Sequence, residues 1–110
     1  MAEPTVNDVI AWFEDDHALE DVSFCQEYPE LVWQAILEVL QRDLTEEEKD
    51  ELLVGPLEEL LYLHGADFID RVEEAAQTDV PFNHLLGGLW RAEMPAEIWE
   101  RVQKVRKEVW

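Results

Sequence analysis

The chain has one cysteine, Cys25, so no disulfide can form within it. That suits a reducing compartment, and a cytoplasmic location is expected. Histidine is scarce as well. His17, His64 and His84 stand apart, none at zinc-ligand spacing, and there is no HExxH motif. No apolar run approaches the roughly 20 residues needed to span a bilayer. The opening MAEPTVNDV lacks the basic and apolar regions of a secretory signal, so no export signal is expected. The most informative scarcity is positive charge. The first Lys or Arg is Arg42, and the chain holds 8 of them against 27 Asp and Glu, a net charge of −19.

Such a charge makes the compact state repel itself. Solubility alone is served by a net charge of roughly 2–8 in magnitude. The surplus is also lopsided. Residues 1–60 carry 18 acidic residues against Arg42 and Lys49, a net −16, whereas residues 61–110 carry 9 acidic and 6 basic, a net −3. A salt-adapted composition would spread its acidity over the whole chain. A field of this sign repels nucleic acid and anionic lipid, so neither is an expected partner. It attracts basic protein surfaces and speeds encounter with them.

Hydrophobic residues make up 47% of the 110, enough for one modest core, and a single domain over 1–110 is expected. The apolar spacing is helical throughout. Val6, Val9, Ile10 and Phe13 follow i, i+3, i+4, i+7, with Thr5 as N-cap and Asp8 in the first turn. Residues 14–28 lack that rhythm and read as turn and irregular structure. Pro29 suits a first helical position, ahead of Trp33, Ile36, Leu37 and Leu40. Thr45 and Glu48 have capping-box spacing. Gly55-Pro56 is expected to end that short helix, with Pro56 opening the next and Gly65 closing it as a C′ glycine after His64. Phe68, Ile69, Val72, Ala75 and Ala76 then form another face. Thr78 to Pro81 reads as a break, and Phe82, Leu85, Leu86 and Leu89 as the next stripe. Pro95 opens a last helix with Ile98, Val102, Val105 and Val109 on one side. No segment alternates at period two for long enough to be a strand. The expected fold is therefore all-α, a compact bundle of about six or seven short antiparallel helices, the later ones spaced like helical hairpins.

No constellation of residues carries a catalytic or metal-binding pattern, so neither an enzyme nor a cofactor is expected. Asp15-Asp16-His17 reads as a solvated acidic loop rather than a ligand set. Ser23 and Cys25 follow His17 without a nucleophile elbow. Gly87-Gly88 has no preceding strand and no following lysine, so it reads as a kink or a close helix approach rather than a phosphate loop. His64 reads as a helix C-terminal side chain favoured by the dipole. Of the five tryptophans, Trp33 and Trp90 fall on apolar stripes and are expected in the core. Trp99 lies one residue off its stripe, at the core margin, and is a candidate contact residue. Trp12 and Trp110 have no assigned place.

In the second half, GPLEELL (55–61), His64-Gly65, FIDRVEEAA (68–76), Phe82, LGGLW (86–90) and IWERV (98–102) together resemble a bacterial domain family of unknown function. The resemblance covers about half the chain and implies a bacterial or phage origin. It brings no catalytic residues, and the acidic first half lies outside it.

The functional expectation follows from charge. A small acidic helical protein fits the basic cleft of a toxin or a nucleic-acid-handling enzyme. The leading reading is an immunity protein or antitoxin; the alternative is a phage-encoded anti-defence inhibitor that mimics nucleic acid. Its acidic face would comprise Glu14, Asp15, Asp16, Glu20 and Asp21 together with Glu46, Glu47, Glu48, Asp50 and Glu51. A third reading is a self-assembling module. There Arg101, Lys104, Arg106 and Lys107 would meet the acidic half of a second copy in a homodimer.

Overall fold

Capping side chains and prolines mark where most of the helices begin. We describe the fold from a computed structural model. It describes residues 5–13, 26–91 and 94–109, with the side chains of Trp12, Phe13 and Val54 outside that description. Helix α1 (Val6–Phe13) opens on a reciprocal pair: the Thr5 N–H donates to Asp8 Oδ2 at 2.8 Å and the Asp8 N–H to Thr5 Oγ1 at 3.3 Å. Pro29 starts α2 (Pro29–Val39), where its missing N–H costs nothing. Thr45 caps α3 (Glu46–Leu52). After a π turn at Leu53–Leu57, α4 runs from Glu58 to Thr78 (Glu58–Thr78). Asp79 then breaks the chain with φ −126° and ψ 105°, and its Oδ1 accepts the Phe82 N–H at 3.2 Å to cap α5 (Val80–Leu86). Pro95 is the N-cap of α6 (Ala96–Val105). No strand occurs among the described residues, and the fold is all-α.

Three of the glycine and proline signals act differently from the sequence expectation. Gly55-Pro56 does not end the helical path. Pro56 has no N–H to give, and its ring would crowd the carbonyl one α-turn back. The chain widens into a π turn instead, in which the Glu58 N–H reaches Leu53 O, and continues into α4. Gly65 lies at a helix break, as expected, but not as a left-handed C′ glycine. Residues 58–78 are two helical stretches that meet at a kink at His64, whose φ of −132° and ψ of 26° are non-helical, so the helical path does break at His64-Gly65. Gly65 is buried against α6, and a Cβ there would lie 2.9 Å from Ile98 Cγ1. Glycine is needed for close approach, not for a left-handed cap. His64 is the kink residue at which the first of these stretches ends. Gly87-Gly88 lies past the end of α5, where three successive i→i+3 bonds, Gly87 to His84, Gly88 to Leu85 and Leu89 to Leu86, turn the chain. That turn breaks the helical register. Leu89 stays buried, but Trp90, expected in the core, is 76% exposed.

The core runs through every helix. α1 packs on α2, and α4 packs on α2, α5 and α6. Trp33 of α2 sits at the junction, with its ring 5.9 Å from that of Phe68 on α4 and 5.4 Å from that of Phe82 on α5, the latter edge-on. Leu57, Leu60, Leu61, Ile69, Leu85, Leu86 and Val102 fill the space around it. The radius of gyration is 13.0 Å, as expected for a folded chain of this length.

One polar side chain enters this core. Asn83 is 5% exposed and is the single buried polar residue among those described. Its Nδ2 donates to Ala76 O at 2.9 Å and Val105 O at 3.1 Å, and its Oδ1 accepts the Lys107 N–H at 2.9 Å. The amide thereby ties the ends of α4 and α6 and the C-terminal tail to α5. It also explains why α6 ends at Val105: Arg106 turns extended, with φ −71° and ψ 141°, and the tail is drawn across α5. Val109, expected on the apolar stripe, lies beyond the helix and is exposed.

Two substitutions probe these contacts. Asn83→Ala strands two carbonyls and an N–H, and should cost about 3 kcal/mol in urea unfolding at unchanged m-value. Gly to Ala inside a helix ordinarily stabilises by roughly 0.5–1 kcal/mol. Gly65→Ala should instead destabilise by about 1–2 kcal/mol. Adding Ile98→Ala should cancel most of that penalty in a double-mutant cycle. A stabilised Gly65→Ala would refute the close-approach account.

Candidate functional site

Helix α3 carries the acidic cluster that the structure describes. Its start is fixed by a complete capping box, in which the Thr45 N–H donates to Glu48 Oε1 and the Glu48 N–H to Thr45 Oγ1, both at 3.1 Å. Glu46, Glu47 and Glu48 fill the first turn, where carboxylates suit the helix dipole. The far end is anchored by Leu52 and Leu53, both buried. Between these anchors Glu46, Glu47, Glu48, Asp50 and Glu51 are all exposed.

These five carboxylates are not equivalent. Glu48 is engaged by the cap, and Glu46 faces Lys49 Nζ at 3.4 Å. Glu47, Asp50 and Glu51 make no hydrogen bond or ion pair with any described residue. They stand at i, i+3 and i+4, so they share one face of the helix. The other expected cluster, Glu14, Asp15, Asp16, Glu20 and Asp21, lies outside the described residues, as do His17, Ser23 and Cys25.

Cations that might offset this charge are used elsewhere. Arg71 of α4 pairs with Glu30 of α2 at 2.5 Å and lies over the Phe68 ring, 4.9 Å from its centroid. Arg101 of α6 holds Asp70 at 2.6 Å and Glu73 through two nitrogens, Nε to Oε2 at 2.9 Å and a shorter second bond to Oε1. Arg106 donates to Leu89 O at 3.2 Å and covers the half-buried Trp99 at 4.9 Å. Arg71 and Arg101 therefore join helices, and on α3 Lys49 alone offsets the charge, through Glu46. Trp99 sits at the core margin as expected, but its face is covered from within the chain.

Among the described residues no group of three His, Cys, Asp or Glu side chains could hold a metal ion. None of the described helices is long and apolar enough to cross a membrane. His64 Nε2 is buried without a hydrogen-bond partner among the described residues. His84 Nδ1 lies 2.5 Å from Glu108 Oε1.

A cavity of about 470 Å³ opens beside α5. Leu40, Ala76 and Leu85 line its floor, and Arg42, Lys49 and Lys107 its rim. Sequence reasoning did not find it, because its walls come from four separate segments. The one available signal was Asn83, a polar residue inside the stripe Phe82, Leu85, Leu86.

A family model, that of a family of unknown function (DUF6869), matches residues 2–109. It spans the acidic half as well as the half whose motifs carried the resemblance. No curated protein and no solved structure matches the chain significantly.

The Arg101 clamp has a pH signature. The hydrogen bond from Arg101 holds the Glu73 carboxyl below its ordinary value of 4.5, and the charges of Arg101 and Lys104 act in the same direction. A carboxyl depressed by folding adds stability above its unfolded value, and that contribution is lost as pH falls through the folded one. NMR titration should find Glu73 depressed in the native chain and returned toward 4.5 in Arg101→Gln. The difference in urea midpoint between the two proteins should shrink as pH falls below 4.5.

Proposed function

The chain belongs to a family of unknown function, DUF6869, and we propose that it is a small acidic binding protein that inhibits a basic partner by occupying its charged cleft. The observation that carries this reading is the carboxylate face of α3, with Glu47, Asp50 and Glu51 aligned, exposed and unpaired among the described residues. The capping box and the buried Leu52 and Leu53 hold that face in place before any partner arrives. Preorganised charge of one sign raises association rates and fixes orientation more than it adds raw affinity. A rigid acidic helix is suited to a cleft evolved for phosphate.

The setting most in keeping with this is a bacterial immunity protein or antitoxin that neutralises a toxin acting on nucleic acid. Pairing with a second copy has less to draw on, because Arg101 and Arg106 already have partners within the chain.

The test uses the full chain as bait in a bacterial lysate at low salt, followed by elution with a salt gradient. Wild type should retain a basic nucleic-acid-handling protein that elutes as salt rises. The purified partner should be inhibited, and should bind Glu47→Lys/Asp50→Lys/Glu51→Lys at least about tenfold more weakly, with a shallower salt dependence. Glu48 is left intact so that the helix cap survives. Unchanged affinity and salt dependence would remove α3 from the interface.

A further inference from the structure

The cavity beside α5 is lined by more Lys and Arg than Asp and Glu, against the balance of the chain as a whole. We propose that it is a binding site for a small organic carboxylate with an apolar body. At about 470 Å³ it falls within the roughly 300–1,000 Å³ of small-molecule sites. Its floor, with Leu40 and Leu85 both buried, offers apolar contact. Its rim gathers Arg42, Lys49 and Lys107, three of the chain's 8 Lys and Arg. Two carboxylates share the rim, Asp43 and Glu108, and Glu108 is held by His84 at 2.5 Å. The whole chain has 27 acidic residues to 8 basic, whereas the cavity lining holds three cations to two carboxylates, with Glu46 beside Lys49 at 3.4 Å. A carboxylate entering here meets the Lys107 ammonium at the rim beside an apolar floor.

The geometry is also fixed in advance. Asn83 lines the cavity, but both its donors and its acceptor are engaged by Ala76, Val105 and Lys107. It sets the wall and leaves charge recognition to the rim. The Lys107 backbone, not its side chain, makes the Asn83 bond. The ammonium is therefore available to a ligand without loosening the tail. The site shares Lys49 with α3 but none of Glu47, Asp50 and Glu51.

Hexanoate is the probe, with hexanol and inorganic phosphate as controls, followed by amide chemical shifts of the full chain. Hexanoate should give saturable shifts at Thr78, Val80, His84 and Lys107. Hexanol and phosphate should each bind at least about tenfold more weakly, since each keeps only half of the recognition. Lys49→Gln/Lys107→Gln should weaken hexanoate by a similar factor while leaving the thermal melt in place. Non-saturable shifts, equal binding of hexanol or phosphate, or full affinity in the double variant would each overturn the proposal. So would binding of a short acidic peptide at these amides with no response to hexanoate.

Discussion

A buried amide must have its hydrogen bonds made for it, and in this fold three chain segments are placed to do so. Asn83 takes a carbonyl from the end of α4, another from the end of α6 and an N–H from the tail. Each of those groups would otherwise be an orphan at a helix terminus or in a crossing strand of backbone. The same three bonds therefore settle where α6 stops, which way the tail runs and how the cavity beside α5 is walled. The aromatic junction of Trp33, Phe68 and Phe82 joins α2, α4 and α5 by area and shape. It does not discriminate between nearby registers as a saturated amide does.

What could be read from the sequence was local. Thr5 with Asp8, Thr45 with Glu48, Pro29 and Pro95 mark helix starts through bonds or ring geometry within a few residues, and each start lies where those signals place it. The break at His64-Gly65 was legible, but the reason position 65 is glycine is Ile98, which belongs to another helix and carries no local mark. Gly55-Pro56 was misread because a proline can be accommodated by a wider turn as well as by a break. Trp90 and Val109 followed the apolar period in sequence, but the helices that would have carried it had already ended. The exposed carboxylates of α3 were legible as a cluster. Which of them were already engaged, and which shared a face, depended on the cap and the helix phase.

The charge asymmetry acquires a structural cause in the same way. Arg71, Arg101 and Arg106 lie in the second half and are drawn into contacts with Glu30, with Asp70 and Glu73, and with Trp99. Exposed pairs of this kind add little stability individually, but they occupy the guanidinium groups that might have screened α3. Three of the other cations, Arg42, Lys49 and Lys107, line the cavity. Lys49 belongs to both regions, since α3 presents carboxylates outward and this one ammonium to the cavity rim.

The π turn between α3 and α4 has a consequence of phase. An α-helix advances about 100° per residue, and a wider turn inserts an angular offset between the stretches on either side of it. The azimuth of Glu47, Asp50 and Glu51 relative to Leu60 and Leu61 is thus set by five residues, Leu53–Leu57, that carry no charge themselves. Shortening that turn by one residue would rotate the carboxylates by roughly 100° about the helix axis, with their number and the net charge unaltered. The direction in which this molecule presents its charge is encoded in an apolar joint.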